Sequence, residues 1–164
     1  MRILLAILTI AFNICYGQTK KETIDWLNIK FQNSPIASND NEQLIRFLKI
    51  SQDGNFTIQS YTYYPEILLP DFKNYNRKVI VTGNFRDLSP NSVITKVIDG
   101  MVFFYASCSK ANCITMRNQG PDSFNAYTSS EVLLCITNES HLEARGKKAF
   151  MHLIMLCGGK KEPF

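Results

Sequence analysis

The residues of this 164-residue chain equipped for chemistry are five cysteines, two histidines and one short run that mixes basic and aromatic side chains. Cys108 and Cys113 flank a short turn, so they can face each other across a hairpin. Cross-strand β-carbons lie about 4.5–5.5 Å apart, slightly wider than the ~3.8 Å of a disulfide, so a bridge closes with little adjustment. Such a bridge serves as a staple; a redox switch and a pair of free thiols are the alternatives. Cys135 lies in an apolar run and Cys157 on an apolar helical stripe. They either pair, tying helix to sheet, or sit as two small hydrophobes. All four are disulfide candidates.

Other chemistries lack their parts. A zinc site built on Cys108 and Cys113 needs two more ligands close by. His141 and His152 share a helix face but stand about 16 Å apart by helical rise, too far for one ion. No glycine elbow marks a serine hydrolase. No phosphate loop or dinucleotide fingerprint is present. Asp25, Asp53, Asp71, Asp87, Asp99 and Asp122 are scattered singly and read as turn or helix residues. The expectation is therefore no catalysis, no metal and no cofactor. The segment Lys73, Tyr75, Arg77 and Lys78, with Tyr61 and Tyr63, forms a candidate ligand surface. Its plainer reading is a solvated strand entry and a packed sheet face. Asn55-Phe56-Thr57 and Asn138-Glu139-Ser140 match the glycosylation pattern, which matters only in a eukaryotic source.

The elements that hold these residues read as follows. Residues 1–17 pair a short basic start with an apolar run and end on Cys15-Tyr16-Gly17, the pattern of a secretory signal peptide cut before Gln18. The run is too short for a membrane span. Lipid anchoring at Cys15 is disfavoured because Ile14 is too large for the position before an acylated cysteine. Residues 18–164 then make one domain. Its charge balance, part of a chain total of +4, does not suggest nucleic acid. Four remaining cysteines fit an oxidising compartment, periplasmic or extracellular.

Thr19 and Glu22 set a capping box for a helix over 20–32. Residues 44–51 and 56–64 flank Asp53-Gly54-Asn55 and read as a hairpin. Further strands fall at 77–85, 93–98, 101–108, 113–117 and 131–137. Residues 38–41 and 118–128 read as loops. The last strand runs into a helix that starts at a Ser140–Glu143 capping box and stops at Gly158-Gly159. Its apolar stripe joins Leu142, Gly146, Ala149, Phe150, Leu153, Ile154 and Cys157. Gly146 inside that stripe suggests a close approach of helix to sheet.

Seven antiparallel strands and a closing amphipathic helix make an α+β fold. That order resembles the pleckstrin-homology superfold, two bent sheets capped by a C-terminal helix, here with an extra N-terminal helix. An eight-stranded lipocalin-like barrel is the main competitor. Lys148-Ala149-Phe150, His152-Leu153-Ile154 and Leu156-Cys157-Gly158-Gly159-Lys160-Lys161 resemble the close of small exported proteins of Gram-negative bacteria. So do Thr23-Ile24-Asp25-Trp26-Leu27, Asp53-Gly54-Asn55-Phe56 and Cys113-Ile114. That family has no assigned activity, so the resemblance implies export and a single domain and transfers no site residue. The expected role is a secreted or periplasmic, non-catalytic module for a peptide or protein partner. An immunity or envelope-maintenance protein that blocks one toxin or enzyme is the second expectation.

Overall fold

The computed structural model describes residues 18–39, 42–63, 77–119 and 124–159. The leader, Cys15, and the ligand-surface residues Lys73 and Tyr75 lie outside them. Two helices and nine strands are present among the described residues. Helix α1 is Lys20–Phe31. The strands are β1 Asn33–Asn39, β2 Glu42–Ile50, β3 Asn55–Tyr63, β4 Arg77–Asn84, β5 Ile94–Ile98, β6 Met101–Ser107, β7 Ile114–Gln119, β8 Phe124–Ser129 and β9 Glu131–Thr137. Helix α2 is Glu143–Leu156.

The strands form two antiparallel sheets rather than one closed barrel. Six strands order β1-β2-β3-β4-β7-β8, and three order β5-β6-β9. The α+β class, the antiparallel pairing and both helices match the sequence reading; the count of seven strands does not. The two missed strands are β1 and β8. Ser34-Pro35 and the polar run 118–128 read as helix stop and loop because neither has an apolar alternation. Both are edge strands, which need only one neighbour and no buried face.

The Cys108–Cys113 turn also differs from the expected hairpin. β6 pairs with β5 and β9, whereas β7 pairs with β4 and β8. The turn therefore carries the chain from the small sheet to the large one. β8 returns to β9 through Ser130 alone, and the two crossings touch: the Cys108 amide donates to the Ser130 carbonyl at 2.8 Å.

Local chemistry explains most element ends. The Thr19 hydroxyl accepts from the Glu22 amide at 3.2 Å, and the Glu22 carboxylate accepts from the Thr19 amide at 2.8 Å. The capping box expected at Ser140 does not form. Ser140–Leu142 winds as a 3-10 turn, and Glu143 instead accepts from the Thr95 hydroxyl of β5 at 2.6 Å. A tertiary bond thus takes the carboxylate that the local motif needs. At the other end, Gly158 adopts φ +93° while Gly158 and Gly159 donate to Met155 and Ile154, a Schellman stop. Asp99 and Gly100 both have positive φ, as a tight two-residue hairpin turn requires.

The core lies between the large sheet, β6 and the two helices. Phe150 of α2 sits at its centre, with ring centroids 5.6 Å from Phe31 of α1, 5.6 Å from Phe104 of β6 and 6.2 Å from Phe85. Each of these rings is essentially fully buried. Gly146 lets α2 come this close: a β-carbon there would lie 2.7 Å from the Phe104 ring and 3.0 Å from Phe31. The late helix therefore seals the scaffold, as its stripe predicts. No helix among the described residues is long and apolar enough to cross a membrane.

Candidate binding surface

The large sheet has one buried face and one open face, and strand alternation decides what each carries. Leu48, Ile50, Phe56, Ile58 and Val81 point into the core. The open face shows Phe47, Lys49, Thr57, Gln59, Tyr61, Lys78, Ile80, Thr82, Thr115 and Arg117. Register places these in rows. Phe47, Gln59, Ile80, Arg117 and Ala126 follow one another across β2, β3, β4, β7 and β8. Lys49, Thr57, Thr82, Thr115 and Thr128 form the next row.

Two of the expected ligand-surface residues meet here. Tyr61 and Lys78 are direct cross-strand partners, and the Lys78 ammonium lies 5.6 Å from the Tyr61 ring centroid. Phe47 stands edge-on to the same ring at 6.0 Å, and the Tyr61 hydroxyl donates to Gln59 at 3.1 Å. Arg77 begins β4 opposite Thr62, and Tyr63 ends β3 opposite Gln43. Sequence reasoning missed Phe47, Lys49 and Arg117, which fall on the same face only once the register is known. A shallow groove of about 580 Å³ runs along this face beside α1, lined by Asn28, Gln32, Phe47, Lys49, Thr57 and Gln59.

The sheet is basic. Glu42 is the only acidic residue in its six strands, against Arg46, Lys49, Arg77, Lys78 and Arg117. Lys49, Lys78 and Arg117 have no carboxylate partner among the described residues. Among the described residues the face therefore presents unpaired positive charge beside aromatic rings.

Its outer edge is β8. This strand pairs with β7 over six consecutive positions without a register shift. Asn125 to Thr128 are exposed, Tyr127 at 48%. Sheet edges are ordinarily blunted by charge, proline or a bulge. β1 carries Pro35 and a register shift between Ser34 and Ala37, and β5 carries Lys96. β8, Phe124-Asn125-Ala126-Tyr127-Thr128-Ser129, has none of these. Among the described residues no strand pairs with its outer side.

The cysteines divide. Cys108 and Cys113 form a disulfide with a sulfur–sulfur distance of 2.05 Å and Cα atoms 5.8 Å apart. Cys135 and Cys157 are free thiols, so they do not tie helix to sheet. Cys135 is fully buried and its thiol is pushed well up by desolvation, against a smaller opposing pull from Arg46. Cys157, half-buried at the end of α2, is also raised, chiefly by desolvation.

Arg46 is the buried cation that pattern reading passed over. It points inward from β2, is 8% exposed, and desolvation lowers its guanidinium to about 10. One nitrogen donates to the Ser60 hydroxyl at 3.1 Å and another to the Leu133 carbonyl of β9, while Nε is left without a partner. The bond to Leu133 ties the large sheet to the small one, whereas the bond to Ser60 stays within the large sheet. The histidines are peripheral. His141 lies 3.3 Å from Glu139, and His152 Nε2 lies 2.9 Å from the Gln18 carbonyl. No group of three metal-binding side chains occurs among the described residues. No protein-family model, curated protein or solved structure matches the chain.

Proposed function

We propose that this protein is an exported, non-catalytic binding module that captures an extended, acidic peptide segment by strand addition at β8. The single observation that carries the reading is the unguarded edge of β8. An added strand would take its main-chain hydrogen bonds from β8 and lay alternate side chains on the open face. Carboxylates on that strand would lie on the open face that carries Arg117, one strand in from β8. The disulfide supports export, because such bridges persist in oxidising compartments. The resemblance to exported Gram-negative proteins supports it further. The pleckstrin-homology likeness enters only as a shared plan, two antiparallel sheets closed by a C-terminal helix.

The probe is a synthetic peptide that alternates Glu with Val or Thr, compared with its Lys-for-Glu counterpart. Backbone NMR of the protein should show saturable shifts in Asn125–Ser129 with the acidic peptide alone, weakening as salt rises. Neighbouring strand residues direct their N–H groups to opposite sides. Of Ala126→Pro and Tyr127→Pro, the variant that removes the outward N–H should keep its melting temperature and lose the shifts. Absence of shifts in β8 at millimolar peptide, or equal response to both peptides, overturns the reading. Export is tested separately: recovery of the chain from the cytoplasm with residues 1–17 intact contradicts it.

A further inference from the structure

A second surface lies on the far side of the core, where α1 and α2 run side by side. Their outward faces enclose a groove of about 720 Å³, lined by Gln18, Trp26, Arg145, Lys148, Met151 and Met155 among others. The floor is apolar, made by Trp26, Ala149, Met151 and Met155. The rim carries the cations Arg145 and Lys148, with His152 beside them, and no carboxylate lines it among the described residues. Arg145 lies over the Trp26 ring at 5.4 Å, and neither Arg145 nor Lys148 forms an ion pair among the described residues. The nearby acids of α1 are engaged elsewhere: Asp25 with Lys21 at 2.6 Å, Glu22 with its own cap. Glu143 is held by Thr95. Met155 is exposed, whereas Trp26 and Met151 are half-buried, each with one side against the core and the other on the groove.

We infer that this groove docks an amphipathic acidic helix of a partner protein. Arg145, Lys148, His152 and Met155 follow one ridge of α2, about 15 Å long by helical rise, which matches roughly three turns of a third helix. With this ridge on one side and Trp26 of α1 on the other, the apolar floor can receive a helix by anchors one turn apart. Methionine side chains adapt to such anchors. The acidic flanks of the guest meet Arg145 and Lys148, which selects against basic helices. A membrane surface fits less well, because Trp26, Ala149 and Met151 of the floor are at most partly exposed. The site is separate from β8 and does not depend on strand addition there.

Trp26 is the only tryptophan in the chain and lies in the groove, so its emission reports occupancy directly. The probe is a synthetic helix of about five turns with Leu along one face and Glu along the other. Its Lys-for-Glu counterpart and anionic phosphatidylglycerol vesicles are the comparisons. The protein expressed from its full-length sequence should show a saturable Trp26 shift with the Glu peptide. Affinity for the Lys peptide should be lower by about tenfold or more. Arg145→Glu with Lys148→Glu should abolish binding of the Glu peptide without changing the melting temperature, since both side chains are exposed. Met155→Glu, also on an exposed side chain, should weaken it independently. An unmoved Trp26 emission, equal response to both peptides, or a shift with vesicles alone overturns the inference. NMR shifts at β8 remain free to appear or not, so this site and that edge fail separately.

Discussion

At the scale of single residues, the buried polar groups set the pH behaviour. Cys135 is neutral when folded and its thiol is raised above the ordinary 9.0, so the unfolded chain ionises it first. Its contribution is complete below about pH 9 and is lost as pH rises through the folded value. We expect denaturant midpoints to fall as pH rises past about 9, with Cys135→Ala flattening most of that slope. Arg46 acts in the opposite sense and later. Its folded value, about 10, lies below that of the unfolded chain, so its burial penalty is constant up to there and is relieved only above. Among the described residues no carboxylate pairs with it, so methionine can replace it without stranding a charge; because alanine would also leave a cavity, Arg46→Met should be more stable than Arg46→Ala by about 2 kcal/mol, measured by urea unfolding. Gly146 is held by contact. Alanine there gains about 1 kcal/mol of helix propensity but forces the Phe104 and Phe31 rings apart, at about 1–3 kcal/mol. The expected net effect is a melting temperature lower by about 2–4 °C. Gly146 was readable in the sequence because it interrupts an apolar stripe. Arg46 was not: a lone cation in an alternating strand looks like a solvated one until the second sheet is placed over it.

At the scale of elements, what could be read is what carries its own periodicity or punctuation. α1 and its capping box, the β2–β3 hairpin around Gly54, the β5–β6 turn at Asp99-Gly100 and the Schellman end of α2 are each dictated by neighbours in sequence. β1 and β8 have no such signal, since an edge strand of polar residues is defined by the strand it pairs with. The same limit hid the candidate edge. It is an absence of charge and proline that becomes meaningful only after the segment is known to be a strand. The Cys108–Cys113 bridge was legible from spacing, but its setting was not. It closes a small ring at a crossing between sheets, where the loop-entropy estimate gives about 2 kcal/mol. Paired Cys108→Ser and Cys113→Ser changes should lower unfolding stability by that amount and leave far-UV circular dichroism unchanged.

At the scale of the whole molecule, the order of strands was out of reach of the sequence, because short links were expected to join neighbours. Two of them instead switch sheets. The resulting arrangement gives an uneven resistance to opening. β3 is flanked on both sides and covered by the core, whereas β8 hangs on β7 with both faces largely exposed. Hydrogen exchange should therefore be slowest in β3 and β4 and fastest, among the strands, in β8. Uniform protection across the large sheet would contradict that gradient. The two crossings meet at one spot, Ser130 against Cys108. Tension applied to β8 travels along the chain through Ser130 and arrives beside a covalent ring. Peeling can unzip β8 from β7, yet the ring anchors the start of β7 to the end of β6. A tug on β8 is thus stopped at the crossing between sheets and spared the interior, in the way a seam stop keeps a tear from running into the cloth.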